Sequence, residues 1–108
     1  MASDYNSAQA FKVARHFEFK NGVNIQSIVD NKTLTYKDSM IQILDVDSNR
    51  DVILPAERNG AIFFIKNENS TYAITVKNAG ASTVAAVAAS EGSLFACDGS
   101  DWKLVIKA

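Results

Sequence analysis

Apolar side chains recur at every second position through most of this chain, and asparagine, aspartate and glycine punctuate the runs. Phe11, Val13, Phe17 and Phe19 share one parity, with Lys12, Ala14, His16 and Glu18 on the other and Arg15 interrupting the apolar row. A period of two is that of a strand with one face on a core. Asn21-Gly22 comes next, and Val23 and Ile25 resume the alternation. Asn-Gly between alternating runs predicts a hairpin, because its tight turn needs positive φ at both central residues. A helix over residues 7–17 capped by Ser7 is the competing pattern, but the phenylalanines and Val13 favour strand.

Short strands are expected at Thr33-Leu34-Thr35-Tyr36 and at Met40-Ile41-Gln42-Ile43-Leu44, parted by Lys37-Asp38-Ser39. Val52-Ile53-Leu54 stops at Pro55, the single proline, which has no N–H for a ladder and suits a strand end. The apolar run at residues 61–65 follows Asn59-Gly60 and predicts a central strand covered on both faces. Tyr72, Ile74 and Val76 alternate with Ala73, Thr75 and Lys77, and residues 94–96 and 102–106 flank an Asp98-Gly99 turn. Strands recurring roughly every 8–12 residues between turn residues indicate an all-β fold. The expectation is a single β-sandwich or jelly-roll-like domain over residues 11–108, preceded by a short flexible N-terminal arm at residues 1–10. Its core should include Phe17, Ile43, Leu54, Phe64, Ile74, Phe95 and Trp102. The alanine-rich residues 79–90 fit either a short helix or a strand whose small side chains let a neighbour approach closely. No internal repeat of fixed period and no interdomain linker are evident.

The 108 residues suit one domain, and 47% hydrophobic with 21% charged residues is an ordinary globular mix. Eleven Lys/Arg against twelve Asp/Glu give a net charge of −1, without the basic excess that a nucleic-acid binder carries. One Cys and one His exclude an intrachain disulfide, a cysteine-rich zinc site and a multi-histidine metal centre within the chain. The longest apolar run, residues 84–89, is far below the roughly 20 residues that span a bilayer. Met1-Ala2-Ser3-Asp4 leads into polar residues, so no secretory leader is expected.

Asp45-x-Asp47-x-Asn49 imitates the start of a calcium loop, but Arg50 stands at the sixth position and Ala56 at the twelfth, where that loop needs Gly and Glu. A solvated turn explains it better. Cys97 and His16 form a thiol–imidazole pair only if folding brings them within about 3 Å. Asp98 beside Cys97 would raise the thiol pKa rather than activate it. Ser93 and Ser100 each follow a glycine without completing a nucleophile elbow, and the five glycines are scattered singly. Lys12, Arg15 and Lys20 interleave with phenylalanines, a pattern that a strand with one solvated face explains. The many carboxylates, Asp51, Glu57, Glu68, Glu91 and Asp101 among them, single out no pair. No catalytic, cofactor-binding or metal-ligating residue is assigned, no cofactor is implied, and no enzyme activity is expected.

Asp51-Val52-Ile53-Leu54-Pro55-Ala56, Phe64-Ile65-Lys66-Asn67, Ala73-Ile74-Thr75-Val76, Thr83-Val84, Glu91-Gly92-Ser93-Leu94-Phe95 and Asp98-Gly99-Ser100-Asp101-Trp102 occur in that order. The series resembles a β-rich module of tailed-bacteriophage structural proteins, found in tail fibres and in small virion surface proteins. It covers residues 51–102 and departs from the pattern at Cys97 and at the alanine-rich residues 84–89. The resemblance implies a virion structural protein, most closely a head decoration or cement protein on the outer capsid surface. Its implied partners are the major capsid protein and further copies of itself, as a trimer, with no nucleic acid and no membrane. Synthesis would take place in the host cytoplasm. The alternative is a tail appendage whose exposed aromatic residues, Tyr5, Tyr36 or Tyr72, engage host glycans.

Overall fold

The computed structural model describes residues 18–19 and 21–108. Among them are nine strands and no helix: β1 (Val23–Ile28), β2 (Lys32–Thr33), β3 (Ile41–Val46), β4 (Arg50–Ile53), β5 (Ile62–Asn67), β6 (Ile74–Lys77), β7 (Thr83–Val87), β8 (Gly92–Cys97) and β9 (Trp102–Lys107). They form a five-stranded sheet, in the order β1-β3-β5-β8-β9, and a four-stranded sheet, β2-β4-β6-β7. The two sheets pack together as a sandwich.

Its connectivity differs from that of a jelly roll. From β1 to β6 the chain alternates between sheets, and each return lays a strand parallel to its predecessor: β1 with β3, β3 with β5, β2 with β4 and β4 with β6. The chain therefore winds in coils. After β6 it reverses, and β7, β8 and β9 add antiparallel strands that close the structure. Val23 lies opposite Ile41, 18 residues on, whereas Ile41 lies opposite Phe64, 23 residues on. That unequal spacing hides the coil from a search for a fixed period.

Asparagines join successive coils at the corner between the sheets. Asn31 Oδ1 accepts the Asp51 N–H at 2.9 Å, and Asn49 Oδ1 accepts the Ala73 N–H at 2.9 Å. Each asparagine lies three residues past a buried aliphatic strand end, Ile28 or Val46. The short amide satisfies the backbone where the ladder is broken by the bend.

Between the sheets lie Leu44, Val46, Phe63, Ile65 and Phe95 from one side and Val52, Leu54, Ile74, Val76 and Val87 from the other, all 2% exposed or less. Leu54, Ile74, Phe95 and Trp102 take the core positions expected of them. Ile43 and Phe64 do not. Both are only half-buried and lie on the opposite parity from buried Leu44 and Phe63, facing outward from the sandwich. β5 is apolar on both faces, so alternation cannot tell in from out. Phe17 and the strand expected at residues 11–17 lie outside the described residues, as does the arm at residues 1–10.

Trp102 fastens the closing strands to the coil. Its ring lies 5.9 Å from that of Phe63, and its Nε1–H donates to Pro55 O at 2.9 Å. Buried Asn67 plays a comparable part at the other end. Its Nδ2 donates to Tyr72 O at 2.8 Å and Val87 O at 3.2 Å, while its Oδ1 accepts the Asn69 N–H at 2.9 Å.

The alanine-rich segment resolves into a turn and a strand. Asn78 N–H donates to Ser82 O, Ala81 takes φ 67°, and β7 then pairs with β6. Gly92 is the first residue of β8, and Ser90, at φ 65°, supplies the bend before it. Asn21 and Gly22 both adopt positive φ, 70° and 65°, with the Gly22 N–H donating to Phe19 O.

Trp102→Ala should cost roughly 3–5 kcal/mol in urea unfolding, through the lost ring and the cavity left behind. A loss below about 1 kcal/mol would mean that the indole does not hold the closing strands to the coil. Asn49→Ala should cost about 0.5–1.5 kcal/mol for its single inter-coil bond, with Asn31→Ala similar and nearly additive.

Candidate functional site

The outer face of the five-stranded sheet is apolar. Register aligns one apolar residue from every strand: Val23, Ile41, Phe64, Leu94 and Ile106 form a continuous row across β1, β3, β5, β8 and β9. Ile25 and Ile43 extend it on one side, and Ile62 and Ala96 on the other. Charge is kept to the margins, with Asp45 and Lys66 toward one end and Lys103 at the opposite corner. A sheet face open to water ordinarily alternates polar residues outward; this one does not.

Phe19, ahead of β1, rests on this row, its ring centroid 5.7 Å from that of Phe64. A groove of about 230 Å³ is lined in part by Phe64, Leu94, Ile106 and Ala108. Another, of about 380 Å³, lies between Glu18, Phe19, Val23 and Ile41.

Both edges of the sheet are open within the described chain. On β1, Val23 is 52% and Ile25 77% exposed; on β9, Val105 is 53% and Ile106 58% exposed. Exposed apolar strands with free N–H and C=O groups invite pairing with another chain. β9 carries partial protection: Lys103 and Lys107 flank its apolar stretch, and an irregularity at Leu94/Phe95 disturbs its ladder. These residues are legible as strands in the sequence, whereas their shared outer face is not. The unbroken apolar run at residues 61–65 is the one local sign of that face.

The chemical candidates fall into structural roles. Asp45 Oδ1 accepts from Asn69 Nδ2, Asp47 Oδ1 accepts from Arg50 Nε and Nη2, and Asn49 makes the inter-coil bond. Their oxygens serve three different partners rather than converging on one point. Among the described residues, no group of three or more His, Cys, Asp or Glu side chains is placed to hold a metal ion. Cys97 is buried, and its sulfur accepts the Gly99 N–H at 3.4 Å. His16, Lys12 and Arg15 lie outside the described residues. Ser93 faces the core, and Ser100 sits in the Asp98 turn, donating its N–H to Asp98 Oδ1.

Of the tyrosines, Tyr5 lies outside the described residues and Tyr72 is 39% exposed. Tyr36 packs at one end of the sandwich near Phe63, donates its hydroxyl to Ala56 O, and carries the Arg58 guanidinium 4.0 Å above its ring. Burial raises its pKa, with Arg58 pulling the other way, so the phenol stays protonated at neutral pH. Asp98 is shifted downward because the Asp101 and Ser100 N–H groups donate to its carboxylate.

A folded-state pKa below the unfolded one means that the folded state binds fewer protons. Stability from Asp98 is therefore present above the ordinary carboxylate pKa, near about 4, and lost as pH falls through the folded value. Wild type should exceed Asp98→Ala in urea midpoint at pH 7, and the gap should close in strong acid. Calcium should leave the melting temperature unchanged, because Asp45, Asp47 and Asn49 are already committed elsewhere. Micromolar calorimetric binding abolished by Asp47→Ala would contradict that expectation.

No family model, curated protein or solved structure matches this chain.

Proposed function

We propose that this chain is a structural protein of a tailed-phage virion, acting as a decoration or cement protein on the outer surface of the head. The observation that carries this reading is the pair of sheet edges left open among the described residues. β1 and β9 present exposed Val23, Ile25, Val105 and Ile106 on opposite sides of one sheet. A small domain with sticky strands on both sides is suited to bridging neighbours. On an expanded capsid, such bridges must break before the subunits separate.

The residues that resemble the phage module fit this reading as determinants of fold. Leu54 fills the core and Pro55 receives the Trp102 bond, while Asp98 organises the turn before β9. The module builds the scaffold, and the edges supply contact. A trimer uses both edges economically, since each copy meets two others around a closed ring. The near-neutral charge of −1 limits repulsion among crowded copies. Residues 1–10 act in this reading as an arm laid across an adjacent subunit.

Antibody against this chain should label phage heads in negative-stain images; labelling confined to tails would overturn the decoration reading in favour of an appendage. Deleting residues 2–10 should lower occupancy on heads and reduce their heat resistance while leaving the circular dichroism spectrum unchanged. Unchanged occupancy would remove the arm from the account.

A further inference from the structure

We propose that three copies of this chain close their five-stranded sheets into a triangular prism, the apolar outer faces turned inward to a threefold axis along the strands. Each face is then covered by the same face of two further copies. This deepens the trimer reading by naming its contact surface, and it rests on that self-association alone, not on a place in a virion.

Dimensions favour three walls. Five strands spaced by about 4.8 Å make a wall about 24 Å wide. Three such walls leave about 7 Å from the middle of each wall to the axis, and four leave about 12 Å. Packed sheets lie about 10 Å apart, so ordinary side chains fill about 5 Å on each side. A square ring would keep an apolar hole at its centre. A triangle needs only some extra bulk at the middle of each wall.

The face has that shape. Across its central row the residues run Val23, Ile41, Phe64, Leu94 and Ile106, with the largest on β5, the middle strand. The Phe19 ring, 5.7 Å from that of Phe64, adds to the bulk there. Two copies packed flat would be propped apart at this ridge, leaving gaps at β1 and β9. Inside a triangle the space narrows toward the corners, where Val23 of one copy meets Ile106 of the next. Those border strands carry the most exposed apolar residues of the sheet.

An axis along the strands sets equivalent rows at one height, so apolar rows meet apolar rows. Lys66, toward one end of the face, has its ammonium 2.8 Å from Ser90 O and 3.6 Å from the Glu68 carboxylate, which keeps it out of the row. A wall about 24 Å by 20 Å has a flat footprint of about 480 Å². Contacts at the two corners bring this toward the roughly 800 Å² that each partner buries in a stable interface. Walls that meet at a triangle's corner are too steeply inclined to share a ladder. The outward amides of β1 and β9 therefore stay available to other partners.

Light scattering from the full-length chain should return three times the chain mass. Ile25→Glu, at a position 77% exposed in the single chain, should return one chain mass with an unchanged circular dichroism spectrum. A single-chain mass for wild type would overturn the prism and the trimer reading together. A trimer that survives Ile25→Glu would overturn the prism and leave the trimer reading standing. Val23→Cys/Ile106→Cys then tests the corners. Within one chain these positions are four strand spacings, about 19 Å, apart, beyond disulfide reach, and the natural Cys97 is buried. Mild oxidation should give bands of two and three chains on a denaturing gel and none higher. A ladder that stops at two, runs past three or does not form would overturn the prism.

Discussion

Parallel register between successive coils is the constraint on which the other features rest. β1, β3 and β5 stack in one sheet and β2, β4 and β6 in the other, so each coil is fixed at two places at once. A slip of one residue in β3 would turn Leu44 and Val46 out of the core and bring Ile43 and Asp45 in. The bends at Asn31 and Asn49 resist such a slip, because each amide meets one backbone N–H of the next coil. Trp102 then ties the last strand back to the loop after β4, which fixes where β9 begins.

That arrangement explains why the molecule has edges to offer. A coil grows by adding parallel strands, and the antiparallel closure by β7, β8 and β9 finishes one end without returning to β1. Among the described residues, the five-stranded sheet therefore keeps two unpaired borders. Its outer face is apolar because β5 is flanked on both sides and packs inward through Phe63 and Ile65 while presenting Ile62 and Phe64 outward. Contact surface follows from the way the chain is wound.

The sequence discloses the all-β class and most of the strands, since period-two alternation and turn residues are local signals. Asp98-Gly99 is legible because the Asp98 carboxylate organises its own turn. Strand direction is not legible: Val52-Ile53-Leu54 reads the same in parallel and antiparallel pairs. The unequal coil lengths conceal the one long-range regularity that would have shown it. Facing is equally opaque at Ile43 and Phe64, where both parities are apolar. The acidic trio at Asp45, Asp47 and Asn49 looked like a ligand set only while its partners, Asn69, Arg50 and Ala73, were unknown. The open edges were beyond reach for the same reason, since an edge is a property of sheet order rather than of any strand's own residues.

Amide hydrogen exchange, measured on the free protein and on the protein bound to phage heads, tests the central claim most directly. Free, the inner strands β3 and β5 should exchange slowly and the outward amides of β1 and β9 quickly. On heads, protection should rise at Val23–Ile28 and Trp102–Lys107. Protection gained only on the four-stranded sheet, or at neither edge, would contradict the claim that these two strands are the surfaces through which the protein holds its neighbours.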